Sequence, residues 1–242
     1  MSRPQQKRMA VLLSVFRMIV AVILCNGVYV GHQLALPNQS IGVMTIIPFF
    51  KYITFVALIM DIFYFLLIGI IRKVCGEITR AYCYCFCFVY SMLVFVLFWL
   101  AYASNRSMID TNPDFPGATM SFHHTTHTVG IVALTIEGIF YKPVQISFER
   151  FRWMGTLLLT TYLLYLEYYI ESKGISPYPG LTELTKGQRC LLYGFVWLLF
   201  TLSYYTCRQY VRFLGRKEPD HNLAAGDGYA KSSDVSDRKK AH

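Results

Sequence analysis

Six long apolar runs constrain this chain more than any other feature of its sequence. They cover about residues 10–31, 49–71, 82–103, 122–141, 153–171 and 190–210. Each has close to the roughly 20 residues that a helix needs to cross a bilayer core of about 30 Å. Helices satisfy their own backbone hydrogen bonds in lipid, and the alternating segments of a membrane β-strand are absent. The sequence therefore predicts an all-α, polytopic integral membrane protein, with six transmembrane helices in residues 1–217.

The composition agrees with a membrane protein and argues against a nucleic-acid-binding protein. Hydrophobic residues make up 55% of the chain and charged residues only 15%, which is too apolar for a soluble domain. The net charge of +9 comes from short basic clusters that flank the apolar runs, a pattern typical of membrane orientation. We therefore expect the bilayer, and no nucleic acid, as a partner. The charge pattern does not predict an oligomeric state.

The basic clusters also predict the orientation of the chain. They precede the first run and follow the second, fourth and sixth runs, at residues 3–8, 72–80, 142–152 and 208–217. Because positive charge collects on the cytosolic side, both termini should be cytosolic. The glycosylation candidates Asn38 and Asn105, each in an Asn-X-Ser sequon, then fall in loops on the opposite side.

The C-terminal segment differs in composition from the rest of the chain. Residues 218–242 are polar and poor in apolar side chains, which predicts a disordered cytosolic tail. Lys239 and Lys240, just before the end, resemble a dilysine retrieval signal. Such signals are addresses read by receptors, so we predict the endoplasmic-reticulum membrane, with the plasma membrane as the alternative.

Ionisable residues inside membrane spans are functional candidates by default. Arg17 lies two turns into the first run and is expected to snorkel to the cytosolic face. Asp61 and Glu137 lie deeper, so each should pair with another group or lose its charge.

A histidine cluster marks the start of the fourth run. His123, His124 and His127 lie within five residues, and helical spacing places each of the first two on one face with His127. The imidazoles are therefore predicted to converge on one point. Imidazole serves as a general base or as a metal ligand.

Thr54 lies at the same predicted depth as His127. Each is five or six residues from the same end of its run, at about 1.5 Å per residue. A hydroxyl beside an imidazole is a possible nucleophile and base for acyl transfer. The alternative is structural, because threonine in a membrane helix usually bonds the backbone carbonyl four residues back.

Four stretches carry a family resemblance. They are Arg8–Ser14, Lys51–Phe55, Asn105–Ile109 and His124–Thr128, with Glu137 downstream. In order and spacing this set resembles the androgen-induced protein and androgen-dependent TFPI-regulating protein family of six-span membrane proteins. The resemblance implies an intramembrane threonine hydrolase that cleaves fatty acid esters of hydroxy fatty acids without a cofactor. It implies Thr54 as the nucleophile and His127 as the catalytic histidine.

Supporting roles and two other functions stay open. His124, Asp61 and Glu137 are candidates for orienting the pair or stabilising charge. The His-His-Thr-Thr-His cluster also suits a metal-dependent lipid-modifying enzyme, although further ligands are hard to find. The scattered intramembrane carboxylates also suit a transporter or channel. We favour the hydrolase, with no metal and a lipid ester as substrate.

Overall fold

The structure is a computed structural model that describes residues 3–37, 39–106, 109, 115–178 and 180–214. Every secondary-structure element in these ranges is a helix, which confirms the all-α prediction. The α-helices are α1 (Arg3–Ala35), α2 (Val43–Ile46), α3 (Ile53–Ser104), α4 (Met120–His127), α5 (Val129–Tyr141), α6 (Phe148–Lys173) and α7 (Lys186–Leu214). Two 3-10 turns cover Ile47–Lys51 and Leu181–Glu183. Asn38 and the predicted tail lie outside the described residues.

Several described helices are long and apolar enough to cross a membrane. In the described ranges they are Arg8–Ala35, Lys73–Ser104 and Lys186–Leu214. A fourth arises if Met44–Lys51 and Ile53–Ile68, which are bent by 119°, form one broken span. The protein is therefore a multi-pass membrane protein. Three of the six predicted runs contain such a helix, and the run at 49–71 contains a fourth if the bent pair forms one span.

The helices of the other two runs, at 122–141 and 153–171, are not among these candidate spans. The run at 122–141 is divided at Thr128, and the 13 residues of α5 span only about 20 Å. The 26 residues of α6 are long enough, but tyrosines, threonines and Glu167 lower its mean hydropathy. Six spans and cytosolic termini therefore stay predictions.

The second and third runs are joined by helix rather than by a loop. α3 continues through residues 72–81 and has a single break at Gly76, with φ 82° and ψ 175°. Glycine adopts a positive φ without the steric penalty of a Cβ atom. The break gives α3 two arms, residues 53–75 and 77–104, and both arms contribute to the core.

Two glycines bring α1 close to the histidine helix α4. A Cβ atom on Gly27 would lie 2.8 Å from Thr125 Cγ2, and one on Gly31 would lie 3.3 Å from the Phe122 ring. Small residues four positions apart allow helix backbones in membranes to approach closely. This contact fixes where α4 presents its histidines.

The buried carboxylate Glu137 pairs with two arginines, which agrees with the prediction that it either pairs with another group or loses its charge. Arg17 Nη2 lies 2.6 Å from Glu137 Oε1, and Arg80 Nη2 lies 3.3 Å from the same atom. Arg17, which was expected to snorkel to the cytosolic face, directs its guanidinium to this carboxylate on the neighbouring helix α5. Arg80, counted among the flanking charges, is 5% exposed.

Candidate functional site

A partly open cavity of about 440 Å³ lies between α1, α3, α4, α6 and α7. Its volume falls within the range of about 300–1,000 Å³ found for small-molecule sites. Aliphatic and aromatic side chains form most of its lining. The polar or amphipathic side chains on the lining include His32, Thr54, His123, Thr126, His127, Tyr162 and Tyr178. The cavity therefore suits a largely apolar ligand with a few polar atoms.

Thr54 lines this cavity and is placed so that its hydroxyl escapes the usual bond to the helix backbone. Threonines deeper in helices donate to the carbonyl four residues back, as Thr126 does to Phe122 at 2.9 Å and Thr160 does to Thr156 at 2.9 Å. Thr54 is the second residue of α3, so the residue four back precedes the helix. Within the described part of the chain, its hydroxyl makes no hydrogen bond. The structural role considered for Thr54 is therefore not seen here.

Two tyrosines hold the first residue of α3, immediately before Thr54. The Ile53 N–H lies 2.8 Å from Tyr178 Oη and 3.0 Å from Tyr162 Oη. Tyr162 donates its proton to the Lys51 carbonyl at 2.8 Å, so Tyr178 is the donor in the 2.8 Å contact between the phenols. Sequence analysis missed this pair, because the two tyrosines are distant from Thr54 along the chain.

Hydrogen bonds fix the orientation and the tautomer of His127. Its Nδ1 lies 3.0 Å from the His123 carbonyl oxygen, which can only accept, so Nδ1 carries the proton. Thr126 Oγ1 lies 2.8 Å from the same Nδ1. Because this hydroxyl donates its own proton to the Phe122 carbonyl, it also accepts a hydrogen bond from Nδ1. The ring stacks on Phe98, with centroids 3.7 Å apart. In the neutral ring, Nε2 is left as a proton acceptor.

The three histidines do not converge, contrary to the prediction from helical spacing. The rings of His123 and His127 lie 6.0 Å apart, and both line the cavity. His124 is exposed, packs on Trp99 at 4.9 Å and lies outside the cavity lining. Across the described ranges, no group of three or more His, Cys, Asp or Glu side chains is arranged to hold a metal ion.

Asp61 shares a second, small cavity with His127. Asp61 is 2% exposed, and its Oδ2 accepts a hydrogen bond from Ser91 Oγ at 2.6 Å. Its Oδ1 has no hydrogen-bond partner among the described residues. The cavity, about 10 Å³ in volume, is bordered by Asp61, Ser91, Thr126 and His127. This is about the space that one water molecule needs.

The remaining predicted residues lie away from the two cavities or at their edge. Glu137 lines neither cavity and is held by its two arginines. Asn105 caps the C-terminal end of α3, where its N–H bonds the Ala101 carbonyl at 2.9 Å, and its side chain is exposed at the cavity rim. His32, which the sequence analysis did not select, lines the cavity from the last turn of α1. The position of His32 at the end of the first apolar run was the sequence feature that could have identified it as a candidate.

Fold and site together define a multi-pass helical membrane protein with an apolar cavity between its helices that is lined by a threonine and a histidine. A family model described as FAR-17a/AIG1-like protein matches residues 12–211. The chain belongs to this family, the androgen-induced protein family, and the predicted resemblance is confirmed. Searches of curated proteins and of solved structures gave no significant match.

Proposed function

We propose that this protein is an intramembrane hydrolase that cleaves fatty acid esters of hydroxy fatty acids. Thr54 is the nucleophile and His127 is the general base. The observation that carries the proposal is that a threonine hydroxyl without a backbone bond and an imidazole with an unprotonated nitrogen line the same apolar cavity. The family resemblance supports the substrate class.

The first half of the reaction forms an acyl-enzyme. Thr54 Oγ1 attacks the ester carbonyl carbon while His127 Nε2 takes the hydroxyl proton. The tetrahedral intermediate collapses when the bond to the alcohol oxygen breaks. His127 returns the proton to that oxygen, and the hydroxy fatty acid leaves. The acyl group is then esterified to Thr54.

The second half hydrolyses the acyl-enzyme. His127 Nε2 takes a proton from water, and the water oxygen attacks the acyl carbon. Breakage of the bond to Thr54 Oγ1 releases the fatty acid, and the proton returns to the threonine oxygen. Both steps use the same base, so loss of His127 removes both.

The position of Thr54 in the first turn of α3 favours the charge that develops during attack. The N-terminus of a helix carries the positive end of its macrodipole. The carbonyl oxygen that becomes negative is bonded to the carbon that Thr54 attacks, so it lies near this helix end. Stabilisation of developing charge by groups already in place is usually the largest catalytic contribution.

The decisive experiment compares variants of the full-length protein in detergent or nanodiscs. Thr54→Ala and His127→Ala should each lower the hydrolysis rate of a fatty acid ester of a hydroxy fatty acid by about 100-fold or more. Thr160→Ala and His124→Ala are matched controls, because both residues lie outside the cavity lining, and they should keep near wild-type rates. A fluorophosphonate probe should label the wild type and not Thr54→Ala.

Two results would contradict the proposal. Full activity in Thr54→Ala would remove the covalent mechanism. Loss of activity with EDTA, restored by zinc, would favour a metal-dependent enzyme instead.

A further inference from the structure

His32 is a polar side chain buried at the edge of the large cavity. It lies in the last turn of α1 and is 2% exposed. Neither ring nitrogen has a hydrogen-bond partner among the described residues. Its surroundings are apolar, with the Phe49 ring 6.2 Å away between centroids. His32 and Thr54 both line the cavity, from different helices.

A buried imidazole without partners is costly for the protein. Burial of a polar group that makes no hydrogen bond destabilises the folded protein. Most buried polar side-chain atoms therefore have a partner, and each exception calls for an explanation. The cavity offers one, because a ligand inside it can supply the missing hydrogen bonds.

The chemistry of the site selects the ligand class. Neutral imidazole has one donor and one acceptor, which a protonated carboxyl group complements with its carbonyl oxygen and its O–H. Imidazolium has two donors, which an ionised carboxylate complements. The rest of the lining is largely aliphatic and aromatic, which suits a hydrocarbon chain. A long-chain carboxylic acid satisfies both parts of the site.

We infer that His32 binds the carboxyl group of a long-chain acid whose hydrocarbon chain fills the cavity. For the ester substrate, the inference rests on the proposed function: the free carboxyl group of the hydroxy fatty acid portion lies at His32, and this places the ester toward Thr54. His32 is then a binding residue that selects esters with a free carboxyl group, and it takes no part in proton transfer.

A binding experiment tests this inference independently of hydrolysis. Hexadecanoic acid and its methyl ester are titrated into the full-length protein in detergent, and affinity is read from the ligand-dependent rise in the unfolding midpoint. Wild type should bind the acid about tenfold more tightly than the methyl ester, because the ester lacks one hydrogen bond to a charged group and such a bond changes affinity by about this factor. His32→Leu should bind the two equally, and His32→Gln, which keeps an N–H donor, should recover part of the preference.

His124→Leu is the matched control, because it removes a histidine outside the cavity lining and should keep the wild-type preference. The same titration in Thr54→Ala should also keep it, since that variant lacks only the nucleophile. Equal affinity of the wild type for acid and methyl ester would overturn the inference, as would an unchanged preference in His32→Leu. A preference for the acid in a protein that hydrolyses no ester would support the inference while removing the proposed function.

Discussion

Arg17 and Glu137 are 120 positions apart in the sequence, yet Arg17 Nη2 lies 2.6 Å from Glu137 Oε1. Arg17 Nε adds a second contact to the same carboxylate at 3.1 Å. Arg80 reaches it from α3, and its guanidinium lies 3.5 Å from the centre of the Tyr141 ring. One buried carboxylate therefore ties α1, α3 and α5 together, and α1 and α3 also form walls of the large cavity.

Glu137→Gln should lower the stability of the protein strongly. The change leaves two guanidinium groups without their buried counter-charge, and breaking a buried ion pair in this way costs about 3–5 kcal/mol. The measurement is the thermal unfolding midpoint in detergent. Glu149→Gln is the control, because its 3.2 Å pair with Arg152 is exposed and should contribute little. Equal midpoints for the two variants would show that the cluster does not tie the helices.

Substitutions at Thr54 should separate the hydroxyl from the shape of the side chain. Thr54→Ser keeps the attacking oxygen and should retain part of the activity, whereas Thr54→Val keeps the shape and should lose it. The double variant Thr54→Ala/His127→Ala should be hardly slower than either single variant, because a nucleophile and its base act as one unit. Initial rates on one ester substrate are measured for all five variants, including the two single alanine variants. Multiplicative losses in the double variant would mean that the residues act independently.

Asp61 should support His127 through a water molecule in the small cavity that the two share. Asp61→Asn should lower kcat by up to about 100-fold with little change in KM, the scale expected for a mispositioned catalytic group. Ser91→Ala tests the same arrangement from the other side, because Ser91 donates to Asp61 at 2.6 Å. A change in KM alone, or a kcat equal to wild type in Asp61→Asn, would assign Asp61 to packing.

The orientation of the chain is tested with engineered glycosylation. A sequon placed between α6 and α7, within residues 174–185, should be modified, whereas one placed near either terminus should not. The native candidates are compared through Asn38→Gln and Asn105→Gln, each scored by the electrophoretic shift after deglycosylation. Modification of a sequon at the C-terminus would reverse the predicted orientation.

The predicted endoplasmic-reticulum location rests on Lys239 and Lys240, which lie outside the described residues. If they form a retrieval signal, replacing both with Ser should move the protein from the endoplasmic reticulum to later membranes without altering its hydrolysis rate in detergent. Fluorescence microscopy against compartment markers measures the shift. An unchanged distribution would make the basic end coincidental.

The sequence by itself determined the all-α membrane class, the family, and the choice of Thr54 and His127 as candidates. These follow from local patterns: long apolar runs specify helices, and short motifs in register identify relatives. Helical spacing also placed His123 and His127 on one face, and the structure keeps them together at the cavity. The same spacing predicted wrongly that His124 joins them. Its side chain packs against the Trp99 ring of α3, outside the cavity.

Only the tertiary structure decided which groups meet across helices. The pairing of Arg17 with Glu137, the tyrosine pair at Ile53 and the place of His32 in the cavity join residues far apart in the chain. The tautomer of His127 was also decided there, by which carbonyl its Nδ1 reaches. Periodicity specifies which face of a helix is apolar, but the rotation and contact partners of each helix depend on how all the helices pack together.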